Sequence, residues 1–107
     1  MTTDLPAPVR AVIDAANAGD TAAFLACFPA DGVVDDWGRE FRGPDAIRGW
    51  SDAEFIGVKV GLRVTRVTID DLDVVVTARV GGDGFNGPSH FTFRVEAGVV
   101  RRMTIRA

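Results

Sequence analysis

The chain has 107 residues, a formal net charge of −3, 47% hydrophobic and 25% charged residues. That size and balance predict one globular domain, residues 1–107, and argue against a nucleic-acid partner, which requires a basic face. Arginine is abundant and Lys59 is the only lysine, a bias that gives no single arginine functional weight.

Cys27 is the only cysteine, so no intrachain disulfide can form. Its place between Ala26 and Phe28 predicts a small buried hydrophobe, not a reactive thiol. Met1-Thr2-Thr3-Asp4-Leu5-Pro6 has neither the basic nor the apolar region of a secretory leader. Ala22–Cys27, the longest apolar run, is too short to cross a bilayer. The expectation is a cytoplasmic protein with no membrane partner.

Pro6 to Ala18 reads as a first helix, because Val9, Val12, Ile13 and Ala16 repeat at i, i+3, i+4 and i+7. Asn17-Ala18-Gly19-Asp20 is a stop followed by a start, with Gly19 as left-handed C-cap and Asp20 as the next N-cap. A second helix, about Thr21 to Phe28, ends at Pro29. Val33 to Trp37 is a short strand that pairs with Arg39 to Arg42 across Gly38. Gly43-Pro44-Asp45 opens a third helix with an inner face of Ala46, Ile47, Trp50 and Ala53, fading near Gly57.

Beyond Val58 the period changes to two. Strands are predicted at Leu62–Ile69, Leu72–Val80, Ser89–Val95 and Val99–Ile105. Leu62 and Val64 share one parity while Val67 and Ile69 take the other, so a β-bulge belongs near Thr65-Arg66. Gly81-Gly82-Asp83-Gly84 is a loose loop. The fold class is α+β: three N-terminal helices packed on a strongly bent, mostly antiparallel sheet, enclosing a cone whose mouth suits a small molecule.

Asp35 and Asp36 are the best chemical candidates. Neighbours on a strand face opposite ways, so only one can point inward; Val34 and Asp36 share one side, and Val33, Asp35 and Trp37 the other. An inward carboxylate among apolar walls is expected to have a raised pKa and to act as a general base. The alternative is a frayed strand end with both carboxylates in water. Trp50 either packs the core or lines a pocket, Trp37 covers an opening or an interface, and Phe24 and Phe55 are core or pocket wall.

His90 is the only histidine and takes the parity opposite to Phe91 and Phe93. If those phenylalanines face the core, His90 points outward. Ser89 then shares their interior side, where its hydroxyl requires a partner. One histidine, one cysteine and scattered carboxylates offer no metal-ligand spacing, and the glycines at 81–84 open no helix to cradle a phosphate. No metal and no cofactor is expected.

These segments resemble the nuclear-transport-factor-two-like superfamily, and within it the SnoaL-like polyketide cyclases. The residues that carry the resemblance are Asn17-Ala18-Gly19-Asp20, Phe28 through Asp36, Gly43-Pro44-Asp45-Ala46-Ile47-Arg48 and His90-Phe91-Thr92-Phe93. The resemblance implies a cone fold, proton transfer by an aspartate without a cofactor, and a homodimer paired through the sheet. Similarity to ketosteroid isomerase implies that Asp36 is the base and that Trp50 takes the place of a pocket phenylalanine. It puts Val12, which has no donor, at one oxyanion position, and Ser89, immediately before His90, at the other.

The expected activity is therefore of the isomerase, cyclase or hydratase kind, on a small apolar cyclic molecule. Asp36 would be catalytic, with Val12, Phe24, Trp37, Trp50, Phe55, Ser89 and His90 as candidate substrate contacts. The alternative is a ligand-binding or dimerisation module without chemistry.

Overall fold

A computed structural model describes residues 5–107; Met1–Asp4, part of the stretch read above for targeting signals, lie outside them. The first helix is α1 (Ala7–Ala18), with Pro8 in its first turn. It ends where Gly19 adopts φ 69°, a left-handed conformation that costs glycine nothing. Asn17 then ties the end of the helix to the sheet: its Nδ2 donates to the Leu62 carbonyl at 3.0 Å and its Oδ1 accepts from the Leu62 N–H at 2.7 Å. The Asp20 carboxylate caps α2 (Thr21–Ala26) by accepting from the Ala23 N–H. The second helix is two residues shorter than expected.

β1 (Val33–Asp36) and β2 (Arg39–Arg42) form a hairpin with Asp36 opposite Arg39. Its two-residue turn is Trp37-Gly38, with φ 56° and 89°, the double positive φ of a type I′ turn. α3 (Pro44–Glu54) begins after Gly43, and a 3₁₀ turn (Ile56–Val58) follows it. The chain then runs through β3 (Gly61–Asp70), β4 (Asp73–Gly81), β5 (Gly87–Glu96) and β6 (Val99–Arg106).

These strands make one six-stranded sheet in the order β2-β1-β6-β5-β4-β3. Every pair is antiparallel except β1 with β6. The register of β3 slips between Val64 and Arg66, where the hydrophobic parity changes. A second slip lies between Arg94 and Val95. Such bulges bend strands, and here they let the sheet curl over the helices.

The inner sheet face is apolar: Val34, Val76, Ala78, Phe93 and Met103 are wholly buried. α1 packs Val9, Val12 and Ile13 into the same core. The outer face carries alternate residues, and one row across four strands reads Val75, Thr92, Thr104, Asp35. No helix among the described residues is long and apolar enough to cross a membrane. Cys27 is half-buried rather than buried; its thiol donates to the Ala23 carbonyl, and burial pushes its pKa up.

Candidate functional site

The helices fill one end of the cone. At the other, the space between α3, the 3₁₀ turn and the curled strands is a cavity of about 430 Å³, within the usual range of small-molecule sites. Trp50 and Phe55 stack on one side, with ring centroids 4.8 Å apart. Val60, Val80, Phe91 and Ile105 form the sheet side. Trp37 and Phe85, both more than half exposed, stand on the cavity wall and belong to the hairpin turn and the glycine-rich loop.

Strand alternation puts Asp36 on the cavity side and Asp35 on the outer face. The Asp36 carboxylate is only 15% exposed. Its Oδ2 accepts from the Trp50 indole Nε1 at 3.1 Å and from Arg39 Nη2 at 2.6 Å. Among the described residues nothing hydrogen-bonds Oδ1, which is left to the cavity. The surroundings are thus not the wholly apolar ones expected, because a guanidinium and an indole donor hold one oxygen.

Arg39 is itself held in place. It grips Glu54, at the end of α3, with Nη1 on Oε2 at 3.0 Å and Nη2 on Oε1 at 2.7 Å. This pairing holds the Glu54 carboxyl below its ordinary pKa. A carboxylate at a helix C-terminus opposes the helix dipole, so Glu54 owes its position to Arg39.

Asp35 is 6% exposed and lies among cations on the other face. Arg106 Nη1 reaches Oδ1 at 3.0 Å, Arg102 Nη2 reaches Oδ2 at 2.7 Å, and the Gly38 N–H donates to Oδ1 at 2.8 Å. The Arg106 guanidinium is the main cause that lowers the Asp35 pKa to about 2. Burial opposes it, and Gly38 and Arg102 add to it.

Of the residues singled out in the sequence, Asp36, Trp37, Trp50, Phe55 and Ser89 line the cavity. Ser89 is 3% exposed and stands on the cavity wall. Three substrate-contact expectations need correcting. Val12 is wholly buried between α1 and the sheet and does not reach the cavity. Phe24 is also wholly buried, in the layer behind the wall, 5.5 Å from Phe55 and 6.5 Å from Trp50 between ring centroids. His90 is exposed on the outer face, opposite Thr77 and Arg106, and cannot touch a ligand in the cone.

The sequence reading missed Arg39, Glu54 and Phe85. The only local signal was the Arg39 parity: on β2 it pairs with Asp36, so it must share that face. No group of three or more metal-binding side chains occurs among the described residues.

Three helices packed under a bent six-stranded sheet make the nuclear-transport-factor-two-like architecture. Residues 9–103 match the model of the SnoaL-like domain, and the chain belongs to that family. A candidate polyketide cyclase from Sinorhizobium meliloti is 30% identical, with a TM-score of 0.88 and 96% of each chain covered. A Catenulispora acidiphila protein with a ketosteroid isomerase-like fold, solved in complex with trimethylamine, is 23% identical at a TM-score of 0.82, covering 97% of this chain and 87% of that one. A candidate ketosteroid isomerase from Kribbella flavida is 19% identical at a TM-score of 0.79, covering 92% and 73%. No curated protein matches in sequence.

Proposed function

We propose that this protein admits a small, largely apolar cyclic molecule to the cone and moves a proton on it through Asp36, without a cofactor. The observation that carries this reading is the half-occupied carboxylate. Trp50 and Arg39 fix Oδ2, while Oδ1 stays open to an otherwise mostly apolar cavity. A positioned base of this kind gives roughly a 10²–10⁴-fold acceleration.

For a ketone, Oδ1 takes a proton from the carbon beside the carbonyl, and the electron pair moves onto the carbonyl oxygen. The Ser89 hydroxyl, on the cavity wall, supplies a hydrogen bond to that oxygen. Return of the proton to the same or a neighbouring carbon completes exchange or isomerisation. Trp37 supports the reading too. A tryptophan at φ 56° in a turn that prefers Asn or Gly costs about 1 kcal/mol, and its ring stands on the cavity wall.

The test is deuterium uptake by β-tetralone in D₂O, followed by mass spectrometry. Wild type should exchange at least about 100-fold faster than Asp36→Asn, with the ketone bound by both. Equal rates with retained binding favour the second reading, a binding module without chemistry. The observation on that side is the tight Arg39 contact that already engages Asp36. We further expect two copies to pair through the outer sheet face, as the family resemblance implies. The half-buried Val75, Thr92 and Thr104 at its centre support this, and a monomer mass by light scattering would contradict it.

A further inference from the structure

We infer that the cavity selects its ligand by charge: it takes a compact apolar molecule that carries a protonated amine, and turns anions away. This rests on the cavity being a ligand site, but not on Asp36 acting as a base. Among the described residues three charged side chains line the cavity, Asp36, Glu54 and Arg39. The one cation among them is already paired with both of the others. Its Nη2 lies 2.6 Å from Asp36 and 2.7 Å from Glu54, and its Nη1 contacts Glu54 again.

The surplus is one negative charge, and Asp36 Oδ1 is where a ligand meets it. An entering anion must share Arg39 with two carboxylates that already contact it, and it meets their repulsion on the way in. Among the described residues no lysine, histidine or second arginine lines the cavity to help it. Arg106, on the strand next to β1, is turned to the outer face and paired with Asp35.

A protonated amine meets the opposite conditions. A desolvated ammonium needs a counter-charge, and Oδ1 provides it. Aromatic faces attract cations; Trp50 and Phe55 stack against each other, Trp50 donates to Asp36, and Trp37 and Phe85 also line the cavity. A neutral ketone has only the Ser89 hydroxyl to gain. A bound amine occupies the oxygen that the proton transfer needs, so it should also compete with β-tetralone exchange.

Three probes with one cyclohexyl body separate the possibilities: cyclohexylmethylamine, cyclohexyl methyl ketone and cyclohexanecarboxylate. Their affinities are measured by NMR titration at neutral pH. The amine should bind at least about tenfold tighter than the ketone, a difference within reach of one desolvated charge contact, and the carboxylate should not saturate. Asp36→Asn should lose the amine preference and keep the ketone. Glu54→Gln, at an exposed position, should weaken the amine and admit the carboxylate. Ketone binding with no preference for the amine overturns the charge selection and leaves the cavity reading standing. Failure of all three probes overturns both. Carboxylate binding as tight as amine binding, or an amine affinity unchanged in both variants, overturns the inference.

Discussion

Asp35 and Asp36 are adjacent in sequence and opposite in circumstance. Asp35 is enclosed by two arginines and a turn N–H on the outer face, with both oxygens engaged. Asp36 has one oxygen engaged and one presented to a cavity. A single strand, by pointing successive side chains to opposite faces, sets one carboxylate among the arginines of the outer face and its neighbour on the cavity wall. The acid with both oxygens engaged is the one we assign to stability, and the acid with one oxygen engaged is the one we propose as the base.

Removing each carboxylate in turn should break the comparison cleanly. Asp36→Asn should cost at least about 3 kcal/mol of proton-transfer barrier in the tetralone assay, the equivalent of 100-fold, with little change in melting temperature. Asp35→Asn should do the reverse. It weakens charged hydrogen bonds to Arg102 and Arg106, costing about 2 kcal/mol of stability, while exchange continues at the wild-type rate.

The Asp35 effect also has a pH signature. Its folded pKa, about 2, lies below the ordinary 3.8. Its contribution is therefore complete above about pH 4 and is lost as pH falls towards 2. Denaturation midpoints of wild type and Asp35→Asn should run parallel at neutral pH and converge in that acid window.

Trp37→Asn sharpens the contrast at the turn between the two strands. It relieves the positive-φ strain and should stabilise the protein by up to about 1 kcal/mol. It should also weaken ketone binding, because Trp37 lines the cavity. His90→Ala, on the outer face beside Arg106, is the control and should move ligand binding by less than about 0.5 kcal/mol.

Much of the fold was written locally. The α1 stripe, the Gly19 stop, the Asp20 cap and the parity switch in β3 depend on near neighbours, and each appears where expected. The parallel pairing of β1 with β6 does not, because Asp35 and Thr104 are brought together only by the closed sheet. The site divides the same way. Alternation along β1 and the family resemblance together picked Asp36 over Asp35. Hydrophobic periodicity alone cannot tell a first layer from a second, and so Val12 and Phe24 fell behind the wall rather than on it. Arg39 and Glu54 meet across a hairpin and a helix end, a contact with no sequence period to announce it. In an arginine-rich chain, composition also hid the one arginine that faces the cavity.

The most direct measurement of the central claim is the carbon-13 NMR signal of the two side-chain carboxyls during titration with cyclohexyl methyl ketone. The account predicts that the Asp36 signal moves in a saturable way with ligand while the Asp35 signal stays fixed. A stationary Asp36 signal alongside proven ketone binding would contradict it.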